Sequence, residues 1–239
     1  YKEMAATEDR HWWFRGRRQV LESLLEGLAL PSAAEILEIG SGTGGNLELL
    51  QRFGRVKAVE MNDYAREFAR ERQAGRIPIL AGSLPGAIPI AEASQDLICL
   101  FDVLEHVAED QAALATIRRL LRPAGRLLLT VPAHGWLWSR HDEYLHHHRR
   151  YSRQQLRHQL MQAGLRPERL TYFNSLLSPL VVAGRIADRL RPGRAVAGTE
   201  VPPSWINEPL RTMFAAEHRI LRHFDLPFGI SLLALARPS

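Results

Sequence analysis

A cluster of glycines follows a short apolar run near the start of the chain, in ILEIGSGTGGN at residues 36–46. Glycine costs stability inside a regular element because its backbone has the most freedom to lose, so a cluster marks a turn or a close approach to another group. The run Glu35–Ile39 has the pattern of a buried strand, and residues 46–53 have the pattern of a helix. A strand, a glycine turn and a helix N-terminus together present free backbone N–H groups. The sequence therefore predicts a binding site for a polar group at this turn.

Segments with the patterns of strands and helices alternate along the first half of the chain. A helix is predicted at residues 10–28, before the glycine cluster. Strands are predicted at Glu35–Ile39, Arg55–Glu60, 77–81, 96–101 and 125–131, and helices at 46–53, 64–73 and 110–121. This alternation predicts an α/β fold with a doubly wound parallel sheet, whose ligands bind beyond the carboxyl ends of the strands. The glycine turn lies in that crevice.

The side chains around the turn narrow the class of ligand. Gly40, Gly42 and Gly45 satisfy the G-x-G-x-x-G spacing of a dinucleotide site. Glu38, however, stands two residues before the turn, where a carboxylate does not help to bind a pyrophosphate but suits a cationic amino group or sulfonium. Glu60 ends the second strand, where it can accept both hydroxyl groups of a ribose, as it could in an NAD site. Because of Glu38, we expect a cationic ligand in preference to NAD.

These residues and two later motifs resemble the class I S-adenosylmethionine-dependent methyltransferases. The matching pieces are EIGSGTG, the acidic Glu60, SQDLICLFDVLEHV at residues 94–107 and LLRPAGRLLLTVP at residues 120–132. The resemblance implies a Rossmann-like, seven-stranded sheet whose last strand is antiparallel. It also implies S-adenosyl-L-methionine as cofactor and S-adenosyl-L-homocysteine as product.

The resemblance places the parts of the cofactor along the carboxyl ends of the strands. The glycine turn holds the methionine part, Glu60 holds the ribose, and Met61 lies beside the adenine. Many relatives carry an aspartate where Ser83 stands, and this departure weakens the contact to the adenine amine. The cofactor-binding residues implied in this way are Glu38, Gly40, Ser41, Gly42, Thr43, Gly44, Asn46, Glu60, Met61, Ser83, Leu84, Phe101, Asp102, Val103, Trp13 and Arg17.

Aromatic residues followed by basic residues lie near the N-terminus, in HWWFRGRR at residues 11–18. Trp12 and Trp13 cannot both face the same side of one helix, so one of them points towards a cleft or lies in a loop. The opening resembles bacterial methyltransferases associated with glycan or lipid modification, in which a preceding helix covers the cofactor. This implies a lid helix within residues 1–30, with Trp12, Trp13 and Arg17 as contacts. Alternatively, the aromatic residues pack on the core and the arginines stay solvated.

The segment after the fourth strand offers two candidates near the methyl donor. Asp102 can be part of the cofactor pocket, or it can be a helix N-cap. His106 can be a general base, because a neutral imidazole suits proton removal near pH 7, or it can be an ordinary helical residue.

A second cluster, SRHDEYLHHHRRYS at residues 139–152, follows the fifth strand. It resembles a D-x4-H-x-R-R-Y pattern of the same subfamily, at the edge of the sheet where an acceptor must bind. The resemblance implies acid/base roles for His147 and Tyr151, and binding of an anionic substrate group by Arg149, Arg150 or His141. Alternatively, Asp142 and Arg150 only pin the loop. We expect no metal here, because consecutive histidines on a loop rarely all point inward and metal ligands need convergent geometry.

The C-terminal part contains a long insertion before the last strand. After a helix at residues 154–163, the sixth strand is predicted at 165–174 and the seventh at 230–236. Roughly fifty residues lie between them, far more than a hairpin loop requires. We expect helices at Ser178–Leu190 and 208–224, joined by a segment at 192–203, so that residues 176–226 cap the acceptor site of a single domain spanning residues 1–239. Residues 176–191 are first apolar and then basic, a pattern that also fits peripheral contact with a membrane surface.

Composition adds limits to the function. The single Cys99 excludes an internal disulfide and fits a reducing cytoplasm, and no apolar run reaches the roughly 18 residues of a membrane span. No secretory signal opens the chain. The sequence predicts a cytoplasmic methyltransferase acting on an oxygen or nitrogen atom of a small molecule or a glycan or lipid intermediate. The alternatives are an RNA or protein methyltransferase, which the pI of about 9.9 favours, and a nonenzymatic protein that binds the cofactor. Nucleic acid is not expected, since FDVLEH stands where an N-P-P-Y-like tetrapeptide would.

Overall fold

The computed structural model describes residues 2–190 and 201–239, so most of the predicted segment at 192–203 lies outside the described residues. The helices are α1 Lys2–Arg10, α2 Trp12–Glu26, α3 Leu47–Gln51, α4 Asp63–Arg72, α5 Asp110–Leu120, α6 Arg140–Tyr144, α7 Arg153–Gln162, α8 Ser178–Leu190 and α9 Ser204–Leu221. The strands are β1 Glu35–Ile39, β2 Arg55–Glu60, β3 Ile79–Ala81, β4 Gln95–Phe101, β5 Leu121–Pro132, β6 Leu165–Phe173 and β7 Ser231–Pro238. Single 3₁₀ turns lie at Leu104–His106 and Gly135–Leu137.

The strands form one seven-stranded sheet in the order β3-β2-β1-β4-β5-β7-β6. β7 pairs antiparallel with both β5 and β6, and the other neighbouring strands are parallel. The chain runs outward from β1 to β3 and then returns to β4 on the other side of β1, so the strand order reverses between β1 and β4. The predicted Rossmann-like fold with an antiparallel last strand is confirmed. We call the edge at which β1 to β6 end the carboxyl edge, and its crevice at the reversal is where such sheets bind ligands.

Helices cover both faces of the sheet. Adjacent residues of β1 show this directly, because Ile36 packs into the layer with α2, α3 and α9, whereas Leu37 packs into the layer with α5 and α7. Both side chains are fully buried. A strand buried on both faces reads as a continuous apolar run, which is why β1 could be recognised in the sequence.

The N-terminal region differs from the single predicted helix, because α1 and α2 meet at His11. His11 has an extended backbone, and its side chain accepts a hydrogen bond from the Trp13 amide, so it ends one helix and caps the next. The carboxamide of Asn207 spans the break: it accepts from the Trp12 amide at 2.8 Å and donates to the Arg10 carbonyl at 2.8 Å. The break is thus held by a residue nearly two hundred positions away, which sequence patterns could not reveal.

The predicted insertion divides into two parts with different positions. α9 packs along α2 in the helix layer, with the Phe214 ring against Gly16 and Trp12. This position differs from the predicted one, which was a cap over the acceptor site. α8 instead reaches the loop after β5, where the Arg185 guanidinium donates to the Ser139 hydroxyl. Among the described helices, none is long and apolar enough to cross a membrane.

The contact between α2 and α9 depends on Gly16, and a pair of alanine substitutions tests it. A Cβ at Gly16 would lie 2.7 Å from Phe214 Cδ1, whereas a Cβ at Gly184 in α8 would meet no atom within 4 Å. Both changes improve helix propensity, by about 1 kcal/mol relative to glycine. We expect Gly184→Ala to be neutral or stabilising and Gly16→Ala to be less stable than it by about 1–3 kcal/mol, the usual cost of overpacking. Urea denaturation of the two variants measures this difference, and equal stabilities would contradict the close packing.

Candidate active site

The glycine turn after β1 has a backbone that explains its composition. Gly40, Gly42 and Gly44 have φ values of +75°, +54° and +81°, in the left-handed region that glycine adopts without strain. A Cβ at Gly40 would lie 2.6 Å from a methyl carbon of Val103, so the turn touches the segment that follows β4. A Cβ at Gly42 would meet no protein atom within 4 Å. Gly42 therefore faces the side of the turn that is open to a ligand.

Glu60 at the end of β2 holds the turn through hydrogen bonds. Its carboxylate accepts from the Gly42 amide and from the Asn62 amide, each at 2.8 Å, and Asn62 in turn caps α4. Glu60 is buried. Each carboxylate oxygen keeps a second lone pair, so the predicted bonds to ribose hydroxyls are compatible with this geometry. The sequence did not indicate that the same carboxylate also braces the glycine turn.

Glu38 is enclosed beneath the turn, with one carboxylate oxygen satisfied and the other not. Oε1 accepts from the Asn46 carboxamide at 2.8 Å, whereas Oε2 has no hydrogen-bond partner among the described residues. Burial raises the pKa of Glu38 to about 8. A cationic group beside Oε2 would favour the ionised carboxylate and lower this pKa. The residue thus fits the predicted contact with a cationic amino-acid head group.

α1 lies over the glycine turn through Glu8. The Glu8 carboxylate accepts from the Thr43 hydroxyl, and a Cβ at Gly45 would lie 2.6 Å from one of its oxygens. Arg18 of α2 donates to the Glu8 carbonyl at 2.9 Å. Burial raises the pKa of Glu8. This contact places the N-terminal region over the turn, as a lid would lie, and sequence reasoning missed Glu8 because its partner Thr43 lies 35 positions away.

Arg17 joins α2 to the end of β4. Its buried guanidinium pairs with Asp102 and lies 4.5 Å from the centre of the Trp13 ring and 6.0 Å from that of Phe101. Asp102 has φ +57°, and its amide donates to the Thr130 carbonyl, so it is not a helix N-cap. The two tryptophans face different sides, as predicted, since Trp12 contacts Phe214 while Trp13 contacts Arg17.

The side of the crevice near β3 is open. The Met61 side chain is 73 % exposed, Ser83 is exposed, and Leu84 is half-buried. Their place beyond β2 and β3 agrees with the adenine contacts that the resemblance implies, and their roles stay predictions.

The loop after β5 is built around the fully buried Asp142. Its carboxylate interacts with His147 Nδ1 at 3.0 Å and accepts from Arg150 Nε at 2.7 Å and the Ser139 amide at 2.9 Å. These partners outweigh the effect of burial and hold the pKa of Asp142 well below its usual range. The Arg150 side chain is also buried and donates to the Ala133 carbonyl. It therefore pins the loop, which was the alternative interpretation, and is not free to bind the substrate anion that the resemblance implied.

Two further predicted residues are engaged in structural contacts. Tyr151 is 2 % exposed and packs in the core, where its hydroxyl donates to Asp110 at 2.9 Å. Burial and the Asp110 carboxylate raise the pKa of this hydroxyl. Arg149 pairs with the same carboxylate at 2.9 Å and donates to the Ala108 carbonyl. The structure therefore contradicts the predicted acid/base role of Tyr151 and leaves Arg149 with only its exposed part available to a substrate.

The structure brings His106 and His147 together from two segments. Their ring centres lie 4.7 Å apart, with the rings nearly perpendicular. Desolvation, reinforced by His147, lowers the pKa of His106 to about 4. Desolvation and the nearby Arg185 likewise lower the pKa of His141 to about 4. The His106 and His141 rings are therefore neutral at pH 7, and each has a nitrogen lone pair that can accept a hydrogen bond or bind a ligand.

Glu105 was missed in the sequence and lies beside this pair. It is fully buried in the 3₁₀ turn, and neither carboxylate oxygen has a hydrogen-bond partner among the described residues. Burial and the nearby Asp102 raise its pKa well above the usual value. The one sequence feature that could have indicated Glu105 as a site residue is its place directly before His106, shortly after a buried strand.

The family of the chain agrees with this fold and with the residues of its carboxyl edge. Residues 13–170, more than half of the chain, match the family model described as a methyltransferase domain, and the chain belongs to this family. The predicted class I S-adenosylmethionine-dependent methyltransferase class, with S-adenosylmethionine as its cofactor, is thereby confirmed.

Relatives and a solved structure agree with this family. A Mycobacterium tuberculosis protein named "Probable S-adenosylmethionine-dependent methyltransferase" is 28 % identical over 123 residues, covering 51 % of this chain and 43 % of that protein. The demethylmenaquinone methyltransferase of Tropheryma whipplei is 27 % identical over 128 residues, covering 53 % of this chain and 50 % of that enzyme. The chain thus spans half or less of the length of these relatives.

Among solved structures, the protein in complex with the Haloferax volcanii Trm112 methyltransferase activator shares the fold. The TM-score is 0.64 at 19 % identity, covering 98 % of this chain and 92 % of that chain.

The network around Asp142 predicts a pH-dependent loss of stability. Replacing Asp142 with Asn leaves the buried Arg150 without its counter-charge, which we expect to cost about 3–5 kcal/mol near neutral pH. Because the folded-state pKa of Asp142 is depressed, its contribution is present above the unfolded value of about 3.9 and is lost as the pH falls through the folded value.

Urea denaturation between pH 7 and pH 3 measures the difference between wild type and Asp142→Asn. The difference should shrink as the pH falls below about 4. The exposed neighbour Glu143 provides the control, since Glu143→Gln should be nearly neutral. A constant difference at all pH values would contradict the role of the ionised carboxylate.

Proposed function

We propose that the chain transfers the methyl group of S-adenosylmethionine to an oxygen or nitrogen atom of a small molecule or a glycan or lipid intermediate. The observation that carries the proposal is the geometry of the glycine turn, where Gly42 faces open space directly beside the Glu60 carboxylate. The two relatives named above as methyltransferases support the transfer, and one of them is named for a small-molecule acceptor.

The residues of the turn fit the cofactor. S-adenosylmethionine supplies a methyl group on a sulfonium, already activated for transfer to a nucleophile. Glu60 would accept the ribose hydroxyls, and Glu38, whose Oε2 lacks a partner among the described residues, would accept from the amino group. Trp13 and Arg17 would close the site from α2, because the Arg17 guanidinium lies over the Trp13 ring and pairs with Asp102 just after β4. The enzyme then needs mainly to position the acceptor and exclude water.

The acceptor side is assigned to His106 and His147. Both lie at the carboxyl edge after β4 and β5, and His147 is oriented by the Asp142 carboxylate. We propose that this pair contacts the acceptor and promotes the loss of its proton, with His141 nearby as a substrate contact. α8 covers the adjoining loop through Arg185 and carries the exposed Leu180 and Ile186, so residues 176–191 are the place for a lipid acceptor or a membrane surface.

A nucleic-acid acceptor is less well supported. The positive balance of the chain comes from arginines, and many of those in the described part are paired with carboxylates, as in Arg15–Glu208, Arg122–Asp96 and Arg169–Asp225. Paired arginines do not form the free basic surface that phosphate binding requires.

The single Cys99 is fully buried and forms no disulfide, and we include a cytoplasmic location in the proposal.

Two positive-φ glycines provide a matched test of the cofactor site. Gly42 and Gly75 both have open space where a side chain would go, but Gly75 follows α4, and a Cβ there would meet no residue of the turn within 4 Å. Leucine at either position costs roughly 1–2 kcal/mol of backbone strain. We expect Gly42→Leu to weaken binding of S-adenosylmethionine by more than about 100-fold, because the side chain occupies the ligand's side of the turn, and Gly75→Leu to change it little. Calorimetry measures both, and similar affinities would remove the turn from the site.

The class of acceptor is tested by label transfer. The protein is incubated with S-adenosylmethionine labelled in the methyl group and with separate small-molecule, lipid, RNA and protein fractions of bacterial cells. We expect label in the small-molecule or lipid fraction. Label in RNA or protein would contradict the acceptor class, and intact cofactor binding with no transfer to any fraction would make the chain a nonenzymatic binding protein.

A further inference from the structure

Three candidate metal ligands converge beside the cofactor crevice, from segments that are distant in the sequence. Glu105 and His106 belong to the 3₁₀ turn after β4, and His147 belongs to the loop after β5. One ligand atom of each residue can be chosen so that all three lie within 4.8 Å of one another. Atoms at this spacing can ligate a single ion after small side-chain adjustments.

Glu105 provides a second and independent observation. Its side chain is fully buried, and neither carboxylate oxygen has a hydrogen-bond partner in the part of the chain that the structure describes. The nearby guanidinium groups do not supply one: Arg17 pairs with Asp102 and Arg150 pairs with Asp142, and Nε of Arg17 is itself without a partner among the described residues. Buried carboxyl groups without a partner are rare because they cost the full desolvation penalty. A cation between Glu105 and the two histidines would remove that penalty.

His147 is already oriented as a ligand. Its Nδ1 lies 3.0 Å from Asp142 Oδ1, and Asp142 is itself fixed by Arg150 and Ser139. A carboxylate on one ring nitrogen holds the proton there and leaves the lone pair of Nε2 free. Metal-binding histidines usually have such a carboxylate partner. The run of histidines thus contributes a single member, His147.

We propose that Glu105, His106 and His147 bind one divalent first-row transition metal ion, which coordinates a hydroxyl group of the methyl acceptor. Two imidazoles and one carboxylate suit zinc or iron, whereas magnesium, calcium and manganese favour sites made of oxygen ligands. Three protein ligands leave a position open for a substrate oxygen. The proposal rests on the proposed methyl transfer and narrows the acceptor to an alcohol or a phenol.

The ion would act on the acceptor as a Lewis acid. The coordinated hydroxyl gives its proton to solvent water, and an electron pair of its oxygen forms the bond to the methyl carbon. The carbon–sulfur bond breaks, its electron pair stays on sulfur, and the products are a methyl ether and the neutral thioether S-adenosylhomocysteine. His147 is then a ligand of the ion and does not itself accept the proton.

Cobalt(II) is the probe for the site. The metal-free full chain is titrated with Co²⁺, and binding is followed by calorimetry and by the visible absorption of the ion. We expect one ion per chain in wild type and binding more than about 100-fold weaker in Glu105→Gln and His147→Ala, since even residues that only orient a ligand change affinity 10–100-fold. His158→Ala, which removes an exposed histidine from α7, should bind like wild type. Equal binding by wild type and Glu105→Gln would overturn the proposal.

Two further measurements separate folding and cofactor binding from metal binding. Without metal, Glu105→Gln should melt at or above the wild-type temperature, because it removes an unpaired buried acid, and Co²⁺ should raise the melting temperature of wild type alone. A chelator should abolish methyl transfer and leave the affinity for S-adenosylmethionine unchanged. Transfer that persists in the chelator would overturn the metal's role but not the methyltransferase. Metal binding without cofactor binding would overturn the methyltransferase instead.

Discussion

The parallel arrangement of the strands is the constraint on which the rest of the structure depends. Because the strands from β1 to β6 end at the same edge, short segments that are far apart in sequence are brought into one crevice. The glycine turn follows β1, Glu60 ends β2, Asp102 follows β4, and the Asp142 loop follows β5. The sheet therefore supplies the cofactor side and the acceptor side of the site from a single edge, and the helices that bury its two faces keep the strands in register.

Buried carboxylates organise this edge. Glu60 braces the glycine turn through two backbone amides, and Asp142 holds the histidine loop through His147 and Arg150. Every oxygen of these two carboxylates accepts at least one hydrogen bond. Glu38 and Glu105 are equally buried but lack donors on at least one oxygen, among the residues that the structure describes. The carboxylates with donors on both oxygens hold the glycine turn and the histidine loop in place. The other two are the residues at which we propose that a cationic head group binds, at Glu38, and a metal ion, at Glu105.

The sequence was most informative where function and local backbone depend on the same few residues. The glycine turn and the buried run of β1 could be predicted because positive φ angles and burial on both faces leave a local pattern. The break at His11, the packing of α9 and the structural role of Tyr151 could not, because each is decided by a distant partner. Asn207 and Asp110 provide such partners, and nothing in the neighbouring sequence indicates them. The pinning of the loop by Asp142 and Arg150, which lie eight positions apart, was one of the two alternatives that the sequence offered.

The central claim is that S-adenosylmethionine binds at the carboxyl edge, with its methionine part at the glycine turn, its ribose at Glu60 and its sulfur directed at the histidine pair. A crystal structure with S-adenosylhomocysteine bound tests this most directly. We expect the ribose hydroxyls to lie within hydrogen-bonding distance of the Glu60 carboxylate, the amino group to lie beside Glu38, and the sulfur to face His106 and His147. A nucleoside bound away from the carboxyl edge, or a sulfur facing away from these two rings, would contradict it.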